Sequence, residues 1–166
     1  MWSFDLKRRA VLIALLGLAA CGFEPLHQSA GGDLVGKLSV QDPTSTLEFD
    51  LNQALRERVG TSVAPEWHLS YELETEQVRM GITDANRGRI AGRLSYRLAG
   101  LAADRRELAG AIDAFAGFTV AETTPTDTAP IVSNRIARRD AERRLAGILA
   151  DRLLAQLRLG LAGGAL

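Results

Sequence analysis

The chain has 166 residues, with 20 Lys or Arg against 20 Asp or Glu, and 46% of it is hydrophobic. That balance offers no basic excess for gripping nucleic acid, and a single cysteine, Cys21, excludes a disulfide scaffold. Without residues 1–20, set apart below, 146 residues remain with 17 basic and 19 acidic side chains, a net of −2 and enough chain for one domain with its own core.

Lys7-Arg8-Arg9 stand ahead of an eleven-residue apolar run, Ala10 to Ala20, which ends in small residues. This is the layout of a secretory signal peptide. A bilayer-spanning helix needs about 20 apolar residues, so the run is too short for that alternative. Leu18-Ala19-Ala20-Cys21 resembles a lipobox, which would make Cys21 the first residue of the mature chain and attach acyl groups to its thiol and amine. Each buried methylene contributes about 0.8 kcal/mol, so several chains on one residue would hold the protein on a membrane. Residues 22–33 then read as a tether of small, polar and turn-forming residues, in which Phe23 and Leu26 either tuck against the domain or touch a surface.

The domain is expected over 34–159. Alternation from Leu34 to Gln41 predicts a first strand, broken by Asp42-Pro43. Ser45-Thr46-Leu47-Glu48 is a capping box, and Leu47, Leu51, Ala54, Leu55 and Val59 follow at helical spacing up to Gly60. Three amphipathic strands come next. Their apolar sets are Trp67, Leu69, Tyr71 and Leu73; Ile90, Leu94, Tyr96 and Leu98; and Leu108, Gly110, Ile112, Ala114 and Ala116. Turns are predicted near 83–88 and 102–105. After a polar stretch from Glu122 to Thr128, Pro130 opens a last helix with the stripe Ile136, Ala141, Leu145, Ile148, Leu149, Leu153 and Leu157. Gly160 is expected to end it, leaving 160–166 as a tail. The order β-α-β-β-β-α predicts an α+β, two-layer sandwich: a four-stranded mixed sheet with both helices on one face.

Sites of chemistry are few. His27 and His68 are the only histidines, and no zinc ligand set, nucleophile elbow, phosphate loop or zinc-protease helix is present. No enzyme activity, metal or cofactor is therefore expected beyond the lipid on Cys21. What stands out is a row of arginines, Arg79, Arg87, Arg89, Arg93 and Arg97, on or beside one hairpin. Guanidinium groups suit phosphate and carboxylate, which makes Arg87, Arg89 and Arg93 candidates for an anionic ligand. Alternatively, Arg93 and Arg97 pair across strands with Glu72, Glu74 and Glu76. The basic run Arg135 to Arg144 reads as a solvated helix face.

Cys21-Gly22-Phe23-Glu24-Pro25-Leu26-His27 resembles the Cys-Gly-Phe-x-Pro-Leu-Tyr opening of the alphaproteobacterial LPS-assembly lipoproteins, the LptE (RlpB) family, with His27 in place of tyrosine. The closing helix, through Arg139-Asp140-Ala141-Glu142-Arg143-Arg144-Leu145-Ala146, looks similar too. The resemblance implies a non-enzymatic lipoprotein on the periplasmic face of the outer membrane. It would plug and help assemble an LptD-type β-barrel translocon and aid delivery of lipopolysaccharide. It also implies a basic lipopolysaccharide-binding residue near the second hairpin, a neighbourhood held here by Asn86, Arg87 and Arg89. A lipoprotein subunit of another lipid or polymer exporter, or a tethered periplasmic hydrolase, are the competing readings.

Overall fold

A computed structural model describes residues 34–79, 87–102, 107–120 and 129–163, all within one compact unit, Gly31–Leu166. Cys21, the tether and the polar stretch before the last helix lie outside the described residues, as do the predicted turn residues Thr83 to Asn86 and Ala103 to Arg105.

The first strand is shorter than expected. β1 is only Leu38–Val40, because Leu34 to Lys37 form a turn. Gly36 takes a left-handed φ of 69° there and donates to the Val59 carbonyl at 2.7 Å. That turn drops Leu34 into the core.

Helix α1, Thr46–Val59, begins and ends as its residues dictate. Ser45 is extended and its hydroxyl accepts from the Glu48 N–H at 3.2 Å, while Gly60 closes the helix at φ 76°. The Glu48 carboxylate reaches back to the N–H and hydroxyl of Thr44, at 2.6 and 2.9 Å, one residue earlier than a capping box would have it.

Three long strands follow: β2, Trp67–Arg79; β3, Arg87–Gly100; and β4, Leu108–Thr119. The sheet runs β1-β2-β3-β4, with β1 parallel to β2 and the other pairs antiparallel. It is the mixed four-stranded sheet the element order calls for. Residues directly opposite share a face, so Leu69↔Leu98 and Leu73↔Leu94 lie on one side, and Glu74↔Arg93↔Asp113 on the other.

Helix α2, Ala129–Gly163, supplies most of the cover. Ala141, Leu145, Leu149, Leu153 and Leu157 are fully buried, joined by Ala146, Ala150 and Leu154. Two expectations fail here. Ile136 is 65% exposed because full burial on the helix begins only at Ala141, and Ile148 is exposed although it lies within the buried stretch between Leu145 and Leu149. Gly160 does not end the helix, which continues to Gly163. Its missing side chain makes room for Leu108, whose Cδ1 would stand 2.9 Å from an added Cβ.

The two helices are tied by Arg58, which forks onto the Asp151 carboxylate at 2.5 and 3.0 Å. That hydrogen bond raises the Arg58 pKa. Arg139 meets Asp50 at 2.7 Å. One buried polar cluster joins α1 to the sheet: Asn52 donates to the Gln41 carbonyl at 2.8 Å and accepts from the Tyr71 hydroxyl at 2.7 Å. Burial, with the charge of Glu48 adding to it, pushes the Tyr71 phenol above its ordinary value.

Candidate functional site: the open face of the sheet

The helices cover one side of the sheet, so the side chains of the other parity face out from it. On β3 that parity carries Arg89, Ala91, Arg93, Ser95 and Arg97. Its neighbours are Glu72, Glu74, Glu76 and Val78 on β2, and Ala109, Ala111, Asp113, Phe115 and Gly117 on β4. A hollow of about 680 Å³ opens here, lined among others by Glu74, Glu76, Arg89, Arg93, Phe115 and Arg152.

Of the three predicted ligand residues, the structure brings two together. Arg89 and Arg93 both line the hollow; Arg87, opposite Thr119 at the start of β3, stands exposed outside it. Arg89 lies over the Phe115 ring, 5.5 Å from guanidinium carbon to centroid, a favourable cation–π distance. Its Nε is out of solvent with no acceptor. Such an unmet charged donor is costly and is answered when an acceptor enters. Arg93 already faces the Asp113 carboxylate at 3.8 Å.

The expected cross-strand pairing with Glu72, Glu74 and Glu76 is corrected. Arg93 and Arg97 turn instead toward β4 and the residue before it, to Asp113 and to Glu107 at 2.5 Å. Both partners belong to the segment that follows, one on β4 and one just ahead of it, where the sequence pointed to the strand before. Phe115 and Arg152 were not anticipated as site residues. Phe115 had a signal: it is a large aromatic at a polar-face position of an amphipathic strand. Arg152 comes from α2 and reaches the Asp113 carbonyl, a contact that depends on tertiary packing alone.

Among the described residues, no three His, Cys, Asp or Glu side chains converge as a metal would require. His68 stands beside Ser39, with Nδ1 3.4 Å from the hydroxyl oxygen. Among the described residues no helix is long and apolar enough to cross a membrane. The arrangement suits binding: three guanidinium groups, two of them held against acids or carbonyls, and one aromatic ring on a rigid three-stranded floor.

No family model matches the chain, and no curated protein matches it. The architecture nevertheless defines a class, because solved structures share it. A candidate lipoprotein from Caulobacter crescentus CB15 matches with a TM-score of 0.63 at 19% identity, over 81% of this chain and 96% of that one. The rare lipoprotein B of Shewanella oneidensis matches with a TM-score of 0.51 at 13% identity, over 76% of this chain and 96% of its own. At these identities the likeness is one of fold.

Proposed function

We propose that this chain is an outer-membrane lipoprotein of the LPS-assembly type, the LptE (RlpB) family in its alphaproteobacterial form. In this reading it is anchored at the periplasmic face through lipid on Cys21 and has no catalytic activity. It plugs and helps assemble an LptD-type β-barrel translocon, and it aids delivery of lipopolysaccharide to the cell surface. One observation carries the reading. The heptapeptide Cys21 to His27 stands just ahead of a sandwich whose fold is shared with the rare lipoprotein B of Shewanella oneidensis.

The open face supports the ligand half of this proposal. Lipopolysaccharide brings phosphate and acyl chains together. The unmet donor of Arg89 suits the former and the adjoining Phe115 ring the latter. Glu74, Glu76 and Asp113 at the same hollow offset much of its positive charge, so binding there rests on the unmet donor of Arg89 more than on a broad basic field. Arg87 and Arg93 flank this point and would add guanidinium contacts to a ligand larger than the hollow.

Detergent extraction of the native membrane tests the proposal. The expected result is co-purification with an outer-membrane β-barrel and an intact mass that begins at Cys21 and includes acyl chains. A free thiol on a chain starting at Met1, or recovery with no barrel while the barrel assembles normally in a deletion strain, would sink it. For the ligand, Arg87→Glu with Arg89→Glu is expected to weaken capture on immobilised lipopolysaccharide while circular dichroism stays unchanged. Undiminished capture would remove these residues from the site.

A further inference from the structure

The outer edge of β2 is half paired. β1 covers Trp67 to Leu69, and the Gln41 backbone N–H adds a bond to the Leu69 carbonyl at 3.0 Å. The Gln41 side-chain amide then acts as one more strand unit: Nε2 donates to the Tyr71 carbonyl at 2.7 Å, and Oε1 accepts from the Tyr71 N–H at 3.0 Å. Beyond it the chain leaves at Asp42-Pro43. Both backbone groups of Tyr71 thus point outward, and the two-residue repeat of a strand aims those of Leu73, Thr75 and Gln77 the same way. Among the described residues, nothing pairs with them.

The far edge of the sheet is handled differently. On β4 the outward carbonyls of Asp113 and Gly117 accept hydrogen bonds from Arg152 and Arg144 of α2. Native sheets block edges in this way to prevent pairing. The β2 edge has no such block. It carries instead Glu72, Glu74 and Glu76, all exposed, at successive positions of the open face. Among the described residues, none of the three has an ion pair; Arg93, opposite Glu74, is turned to Asp113 instead, so the carboxylates repeat along the strand without a direct partner.

We propose that the Leu73–Gln77 edge receives an extended segment of a partner protein as a fifth strand, with Lys or Arg at alternate positions opposite the three glutamates. Main-chain bonds would give affinity and the alternating cations would give register and specificity. A second copy is the wrong occupant, because edge-to-edge pairing would set one glutamate row against another. Residues 21–33, 80–86 and 121–128 of this chain contain no Lys or Arg, so they lack the complementary charge, and 103–106, which holds Arg105 and Arg106, has them adjacent rather than alternating and is too short to pair along five residues. The inference does not depend on the lipopolysaccharide reading above.

The test uses the full chain and a short synthetic peptide alternating lysine with valine. Binding is measured by titration at low and high salt. Wild type is expected to bind, more weakly at high salt. Peptide with alternate backbone nitrogens methylated should lose about tenfold or more, since it keeps its charge but cannot form the ladder. Thr75→Pro removes an outward N–H that edge strands can spare, and should lose a similar factor with unchanged circular dichroism. Glu72→Lys with Glu74→Lys and Glu76→Lys should transfer preference to a glutamate–valine peptide. Absent wild-type binding, full binding of the methylated peptide, or an undisturbed preference in the triple variant would each overturn the proposal.

Discussion

On the helix-covered side of the sheet, Leu69, Leu94 and Leu98 are wholly out of water; on the reverse side, Arg93 and Arg97 sit in the same strand with most of their side chains exposed. Both sides come from one alternating pattern, yet their energetics differ. The covered side derives its stability from removing apolar area from water, about 25 cal/mol per Å². The open side holds charges in pairs that solvent largely screens. Substitutions on the first should therefore register as stability, and on the second as binding.

The largest effect is expected at the centre of the covered layer. Leu149 is fully buried on α2 among β3 and its neighbours. Leu149→Ala should lower unfolding free energy by about 2–5 kcal/mol, read as a shift in urea midpoint at constant slope. Phe115→Ala, on the open side, should cost far less. Equal losses at the two positions would mean the open face is covered in the native protein, and the contrast would fail.

A smaller loss is expected where polarity enters the covered layer. Asn52→Ala strands the Tyr71 hydroxyl and the Gln41 carbonyl, which costs about 1–3 kcal/mol. Adding Tyr71→Phe to Asn52→Ala should then cost less than the separate effects combined; strict additivity would show that the cluster does not act as a unit. The same phenol sets an alkaline limit. Its folded pKa lies above its unfolded value near 10.0, so the folded state holds the proton longer. The resulting stability is complete below about pH 10 and declines as pH rises beyond it. Urea midpoints measured at increasing alkalinity should fall in wild type and fall less in Tyr71→Phe.

That cluster also marks where sequence reading stops. The alternation of the three long strands, the Ser45 cap and the Gly60 stop are local, set by residues within one turn or one pleat, and each appears where its residues predict; the alternation of Leu34 to Gln41 does not, since its first half folds into a turn. Leu145, Leu149, Leu153 and Leu157 announce their burial by four-residue spacing. Asn52 gives no such signal: a polar residue inside a helix becomes core only because Gln41 and Tyr71 meet it from elsewhere in the chain. Ile136 misleads for the complementary reason, having the right spacing but lying ahead of Ala141, where full burial on α2 begins. In the candidate site, Arg89 and Arg93 follow from strand parity, whereas the choice of β4 over β2 for ion pairing follows from side-chain reach across a formed sheet. Arg152 belongs to neither pattern until the helix is docked.

The smallest stability effect should belong to the open face itself. Arg97 contacts Glu107 at 2.5 Å, but both side chains are half exposed or more. The geometry is close, yet an exposed pair of this kind contributes about 0–1 kcal/mol once screening and side-chain entropy are counted. Arg97→Gln should therefore leave the urea midpoint nearly unchanged and make it slightly less salt-dependent. Arg97 also lies outside the Arg89 hollow, so lipopolysaccharide capture should survive this substitution while Arg89→Gln reduces it. A loss above about 2 kcal/mol for Arg97→Gln would exceed what a screened pair supplies. It would reassign the arginine row from ligand recognition to holding the sheet together, and so erase the division of labour between the two faces.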